Sequence, residues 1–571
     1  MHPARGVIIV CERENRPGEN PFIPGRREFL DLPSISENMT YKNWQSDFRS
    51  LMAGLLACCA AVAVSCAKVG PDYLRPPTSV SQNWLEAGDR RIQSSPVDYR
   101  AWWKLFHDPV LDRIIEHAYD ENLTLKMAGV RVLEARAQLG VAVGNLYPQT
   151  QQLSGSLEFD RESAKSSSTA GISGGVQRSF WVDQAGIGAA WEIDFWGKFR
   201  RAIESADSSL LAAMADYDSA LVSLTADAAN SYIQIRTLSR RLRIARENAE
   251  VQKESLKIAQ TRFKGGTTSE RDVEQARTVL YNTLATIPTL QAQLRQAQNA
   301  LSVLLGLPPS DLQDILETSD EIPAPPPQVA VGIPADLIRR RPDVRSAEFQ
   351  AMAQSAQIGV AKADLFPAFS LTGSFGFLAS TVGKAGLGDI ATFSARTATA
   401  GPGFSWDILN YGRITNNVRV QDARFQELLL SYRNTVLKAQ QEVEDSLAGF
   451  LRAQESADFY AESSSAAKRS LDLAFLQYRG GSTDFTTVLT AQQALLTAQD
   501  NFATALGSIS TNLVGVYRAL GGGWELREGR DVISEDIRKE MARRTNWGNL
   551  LTPASHLPAE QERSTIRPPD W

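Results

Sequence analysis

Past residue 66 the sequence contains no cysteine; the four it has are Cys11, Cys58, Cys59 and Cys66. A mature chain starting near Cys66 therefore forms no internal disulfide, and its stability rests on packing and assembly. Histidine is nearly as scarce, at His2, His107, His117 and His556, which leaves little material for a His-based metal or catalytic centre. An excess of one charge is missing too. The 60 Lys and Arg against 65 Asp and Glu leave a net of −5 over 571 residues, which argues against nucleic acid as the main partner. Phosphate loops, zinc spacings and nucleophile-and-base pairs are absent, so no cofactor or metal is expected and an enzyme is not the reading. A hydrophobic share of 43% is too low for a bundle of membrane-crossing helices.

What is present begins with an export signal. From Met39 the chain reads MTYKNWQSDFRSLMAGLLACCAAVAVSCAKVG, with Lys42 and Arg49 as a basic leader and an apolar run from Leu51 to Val64. That run is shorter than the roughly 20 residues a spanning helix needs and suits a signal-peptide core. Ala63-Val64-Ser65-Cys66 is similar to a bacterial lipobox, with Ala63 where Leu is commonest; Cys66 is the candidate lipidation site. Leu55-Leu56-Ala57-Cys58 also fits but leaves a very short apolar core. The plainer alternative is an ordinary signal peptide with incidental cysteines. Two or three acyl chains, at about 0.8 kcal/mol per buried CH₂, would anchor the chain firmly.

The most informative feature is an internal repeat. Ala137-Gln-Leu-Gly-Val-Ala-Val-Gly-Asn-Leu-Tyr-Pro148 recurs as Ala356-Gln-Ile-Gly-Val-Ala-Lys-Ala-Asp-Leu-Phe-Pro367, a displacement of 219. From Trp191 and Trp406 onward the displacement is 215, and it pairs Gly197 with Gly412, Tyr217 with Tyr432, Gly266 with Gly481, and Leu305-Gly306 with Leu520-Gly521. The four-residue change must fall between Pro148 and Trp191, so that interval should contain a turn, because loops absorb length changes and packed helices do not.

Each repeat carries strands of period two. Leu153, Gly155, Leu157 and Phe159 alternate with small or polar residues, as do Trp181, Ile187, Ala189, Trp191, Ile193 and Phe195, and then Phe369, Leu371, Phe375 and Phe377. Asp183 falls on the apolar face, as a strand end at a membrane surface allows. A fourth strand, Thr392 to Ile408, is weaker, since Arg396 shares the face of Phe404 and Trp406 and Pro402 interrupts it. Lipid outside and water inside demand this pattern. A soluble sandwich is the alternative, but each hairpin stands alone between long helices, and a lone hairpin is marginal in water, so partners from other chains are expected. The Ser/Gly-rich segments Arg161–Gly175 and Ala379–Gly388 would be extracellular turns.

Between Gly197 and Lys264, Phe199, Ile203, Ala206, Leu210, Met214, Tyr217 and their successors recur at steps of three and four without Pro or Gly. Such a helix would reach about 100 Å. Gly412 to Arg479 repeats it with one Gly449 inside, and paired glycines in Arg262-Phe-Lys-Gly-Gly-Thr-Thr268 and Gln477-Tyr-Arg-Gly-Gly-Ser-Thr483 reverse the chain. The segments are then 1–65, N-terminal extension and signal; 66–148, anchored segment and first helices; 149–196, first hairpin; 197–306, first helical repeat. They continue with 307–367, linker and lead-in helix; 368–408, second hairpin; 409–524, second helical repeat; and 525–571, rich in charge and Pro, a flexible tail.

These pieces resemble the TolC/OprM family of outer-membrane efflux proteins, above all its lipoprotein branch. The resemblance is carried, in order, by Val69-Gly-Pro-Asp-Tyr73, Trp191-Glu-Ile-Asp-Phe-Trp-Gly197, Ile333-Pro-Ala-Asp-Leu-Ile-Arg-Arg-Arg-Pro-Asp343, Ile358-Gly-Val-Ala-Lys-Ala-Asp-Leu-Phe-Pro367 and Ala519-Leu-Gly-Gly-Gly-Trp524. It implies a mixed α and β fold in which three copies each give four strands to a twelve-stranded transmembrane barrel, continuous with a periplasmic α-helical barrel. It also implies docking to an inner-membrane pump, RND-type, through a periplasmic adaptor protein, for export of drugs or other small toxic compounds. Carried onto this chain, the helical turns become the periplasmic tip. Asp484 and Thr483 are then gate candidates, and Arg262, Gly266, Tyr478 and Gly481 candidates for adaptor contact or tip geometry. The first tip has Ser269 where the second has Asp484; capping of the return helix is the other role open to that carboxylate. Arg339-Arg-Arg341 is either a partner surface or a solvated run. Type I protein secretion and a trimeric periplasmic scaffold or adhesin are the rival functions.

Overall fold

The computed structural model describes residues 68–93, 99–163, 177–317, 321–332, 334, 340–382 and 386–552. The chain divides into two units, 1–65 and 66–571, and every described residue lies in the second. Cys66, Arg339 and residues 553–571 fall outside the described residues.

Helices come in matched pairs. After α1 (Pro109–Glu121), α2 (Leu123–Gly144) has 22 residues, and its counterpart α5 (Pro342–Ala363) has the same number. Helix α3 (Lys198–Lys264) and helix α6 (Arg413–Arg479) each have 67 residues, and α4 (Glu270–Leu304) and α7 (Phe485–Ala519) each have 35. The bounds of α3 and α4 recur in α6 and α7 at the displacement of 215, while those of α2 recur in α5 at 219, so the lost residues lie in the hairpin between. Gly197 and Gly412, at φ 78 and 81, start the two long helices from a left-handed turn that L-residues rarely adopt.

The four long strands form one sheet. Strands β2 (Thr150–Arg161), β3 (Ser179–Ile193), β5 (Ala368–Ser380) and β6 (Arg396–Ser405) lie antiparallel in the order β2-β3-β5-β6. This corrects the expectation of two isolated hairpins, since they join within the chain through β3 and β5, from Val182↔Ser380 to Ile193↔Phe369. Gly186 and Gly376 face each other at this seam, where a Cβ on Gly376 would lie 2.6 Å from the Ala185 carbonyl oxygen. The register puts Leu153, Ile187 and Phe375 on one row, and all three are exposed, Leu153 by 80%. Asp183 shares that face, between Leu157 and Ala379, two residues from Trp181. The weak fourth strand is real. Its Pro402 sits in β6, which has a neighbour on one side only, where a missing N–H is tolerated. Arg396 lies 3.8 Å over the Phe393 ring.

The main core is helical. Trp102 stacks on Tyr517 at 5.6 Å, amid Leu111, Ile114, Leu133, Leu221, Ile233, Leu301, Phe450 and Leu513. Two short strands, β1 (Ile92–Gln93) and β4 (Val329–Ala330), pair in parallel beside it. Farther along α3, bridges to α7 are polar: Arg241 to Asp500 at 2.7 and 2.9 Å, Asn248 to Gln499 at 2.8 Å, and Gln492 to Ser255 at 2.7 Å.

Residues 525–552 are not a flexible tail. The buried Asp218 carboxylate accepts from Arg527, and Val532, Ile533, Met541 and Leu551 are buried around α8 (Glu535–Arg544). The prolines that suggested a tail all lie beyond Thr552, whereas 525–552 carries spaced apolar residues that dock.

Candidate functional site: the paired tips and the exposed apolar sheet

Both helix reversals are built alike. At the first, Thr267 N–H donates to Arg262 O (2.9 Å) and Gly266 N–H to Phe263 O (2.9 Å); at the second, Ser482 N–H donates to Gln477 O (3.0 Å) and Gly481 N–H to Tyr478 O (3.2 Å). This is the Schellman pattern, which needs a left-handed residue after the cap. Gly266 (φ 71) and Gly481 (φ 73) supply it, and a Cβ at either would meet nothing within 4 Å. Backbone conformation, not space, selects glycine here.

The structure brings the tip candidates Arg262 and Tyr478 together. The Arg262 guanidinium lies 4.2 Å over the Tyr478 ring, which in turn packs on Phe485 at 5.0 Å. Beneath them Ala259, Val273, Ala276, Val279, Leu471, Val488 and Leu489 form a separate small core that ties the two tips. The Tyr478 hydroxyl is buried with no hydrogen-bond partner among the described residues. Sequence reasoning missed Phe485, the first residue of α7; its signal was an aromatic directly after the cap. It also missed the Thr486–Gln275 hydrogen bond across the tips (3.3 Å).

Asp484 is exposed and caps α7: its carboxylate accepts from Thr487 N–H at 3.1 Å and from the Thr487 hydroxyl at 2.7 Å. Those two hydrogen bonds, helped by Arg271, hold the carboxyl below its ordinary range. Thr483 donates to the same Thr487 hydroxyl at 3.0 Å. In the first tip Ser269 occupies the cap without a side-chain hydrogen bond, and Thr268 donates to Asp272 instead. At the cap position one tip therefore carries a carboxylate and the other a hydroxyl.

At the other end of the long helices, indoles pin the sheet. Trp191 Nε1 donates to Leu146 O (3.1 Å) and, in the second repeat, Trp406 Nε1 to Leu365 O (3.0 Å). Trp196 Nε1 donates to Pro367 O at 2.8 Å. Trp181 and Trp191 stand ten residues apart on β3, a rise of about 33 Å along the strand. Among the described residues no helix is long and apolar enough to cross a membrane, and no group of acidic, His or Cys side chains could hold a metal ion.

The sequence model of the family described as "Outer membrane efflux protein" matches residues 114–307 and again 333–522. The chain belongs to this family. Nodulation protein T of Rhizobium leguminosarum bv. viciae is 30% identical to this efflux protein over 472 residues, 82% of this chain and 93% of the relative. The pyoverdine export outer membrane protein OpmQ of Pseudomonas aeruginosa is 32% identical over 446 residues, 77% of this chain and 90% of the relative. The solved outer-membrane channel OprN superposes with a TM-score of 0.72 at 32% identity, covering 80% of this chain and all (100%) of that one. The protein is thus an outer membrane efflux channel with a mixed α and β fold. Residues 524–552 lie beyond that match.

Proposed function

We propose that three copies of this efflux protein close a twelve-stranded barrel through the outer membrane, β2 of one copy meeting β6 of the next. The helices then continue as a periplasmic tunnel. The reading rests on one observation: β2 and β6 each have a neighbour on one side only, while the sheet exposes an apolar face of Leu153, Leu157, Phe159, Ile187 and Phe375, interrupted by Asp183. Open ladders beside apolar surface are stable in lipid only when closed. The duct serves as the passive exit of a tripartite pump. The paired tips face an adaptor protein and an RND-type inner-membrane pump, and drugs or other small toxic compounds leave through it. Cys66 carries the acyl anchor, as the Ala63–Cys66 spacing supports. At the tip, symmetry brings three Asp484 carboxylates round the axis, where they repel one another and favour cations; each also caps its helix. Arg262, Tyr478, Gly266 and Gly481 shape the tip. Cysteine pairs placed along β2 and β6 test the assembly: oxidation should yield a covalent trimer on non-reducing gels. A monodisperse, water-soluble monomer without detergent refutes it.

A further inference from the structure

Residues 68–93 form a strap whose first turns meet a buried arginine. Arg201, 1% exposed in the first turn of α3, donates Nε to Val69 O (3.0 Å), Nη2 to Gly70 O (3.2 Å) and to Asp72 Oδ1 (2.8 Å), and Nη1 to Glu204 Oε2 (2.9 Å). Val69 N–H donates to Trp196 O at 3.1 Å. Gly70 stands at φ 98, and a Cβ on it would overlap Gly359 of α5; a Cβ on Gly359 would lie 2.7 Å from Val69 O and 2.9 Å from the Arg201 side chain. Two glycines and a planar guanidinium thus admit backbone and read its carbonyls, geometry a lysine cannot copy. The duplication gives an internal comparison. Position 416 in the second repeat, the counterpart of Arg201, is Asn416, and the counterpart of Gly359 is Gly140, beside which a Cβ would meet nothing within 4 Å. The first repeat alone carries the arginine, and the glycine beside it is the one the strap covers.

Below the socket the strap stays bound. Arg75 pairs with the buried Glu348 at 2.6 and 2.5 Å; Ser81 N–H, Leu85 N–H and Arg91 then reach Gln440, Glu444 and Leu451 along one face of α6. From Val69 back to Cys66 is three residues, a reach of at most about 11 Å. Trp196, which receives Val69, stacks on Phe366 at 4.6 Å and meets Phe195 edge-on at 4.8 Å, in the aromatic rim at the base of the sheet.

We infer that Arg201 and Gly359 are a docking socket that holds the Val69–Asp72 backbone at the base of its own subunit's sheet, so that an anchor on Cys66 is tethered three residues from that point. The position of the anchor rests on lipidation at Cys66; the socket itself does not. The test uses the full-length assembled protein, labelled in cells with palmitate, purified in detergent and exposed to trypsin. Cleavage after Lys68 frees the label on a short peptide, and the same cut is read independently from the mass of the remaining chain. Docked strap should keep the label on the wild-type chain. Gly70→Val, which alters the strap and leaves the helices untouched, should speed release at least about tenfold, the factor that about 1.4 kcal/mol of docking free energy represents. Gly359→Val should do the same from the other side, Arg201→Lys should fall between, and Gly88→Val, which meets open space on the strap, should change nothing. Equal clipping of wild type and Gly70→Val overturns the socket. Absence of palmitate from the wild type overturns lipidation alone, since the mass readout still judges the socket.

Discussion

Tyr478 offers the sharpest test of how the tips are held. Its ring is 7% exposed, lies under the Arg262 guanidinium and against Phe485, and carries a hydroxyl without a partner. Tyr478→Ala should remove about 3–5 kcal/mol, the usual cost of truncating a buried aromatic. Amides of α7 near Phe485–Leu495 report local opening by hydrogen exchange, and their protection should drop by about two to three and a half powers of ten. Tyr478→Phe keeps both ring contacts and discards an unsatisfied buried group, so protection should be unchanged or slightly higher. Arg262→Ala removes a half-exposed cation over the ring and should cost only about 0.5–1 kcal/mol. If Tyr478→Phe loosened the tips as much as Tyr478→Ala, the hydroxyl rather than the ring would hold them, and the packing argument would fail.

Three further outcomes follow from the same geometry. Asp484→Asn keeps the cap and removes the charge, so cation selectivity in planar bilayers should fall and conductance rise; Asp484→Ala should raise conductance as well, and an unchanged closed-state conductance in both would remove Asp484 from the gate. Because Thr487 holds this carboxyl below its ordinary range, its ionised form is the favoured one in the folded tip. Within one tip, charge and cap should therefore persist as pH falls into the ordinary carboxylate range, and loss at higher pH measures the repulsion among the three carboxylates, which a titration of reversal potential reads directly. Arg527→Ala should cost about 3–5 kcal/mol by stranding Asp218, 1% exposed, with only Arg345 at 3.9 Å; heat-induced dissociation should move down, and adding Asp218→Asn should recover most of the loss.

The long helices, their reversals and the outward face of the strands were legible in the sequence because each depends on local period or on a paired glycine. The matched 67-residue helices follow directly from the displacement of 215. What escaped was non-local. Nothing in the period of β3 says that it meets β5 rather than another chain, since Ile187 and Phe375 become neighbours across more than 180 intervening residues. Residues 525–552 escaped because composition was averaged over a segment whose prolines all lie at its far end. Arg201 escaped because one arginine in a long amphipathic helix carries no mark of the backbone it receives; Val69-Gly-Pro-Asp-Tyr73 stood out as a motif without showing its partner.

The polar contact between α3 and α7 has a mechanical consequence. Within each hairpin the helices share apolar side chains, but Arg241–Asp500, Asn248–Gln499 and Ser255–Gln492 join one hairpin to the other. Groups of this kind find equivalent partners in water, so separating them costs far less than separating apolar surface. Gln252, whose buried amide atoms have no partner at all, would gain about 1–3 kcal/mol on wetting. The lower hairpins are therefore stiff members whose mutual contact is polar along this stretch and apolar again at the tips, where Ala259, Val273 and Val488 share one core.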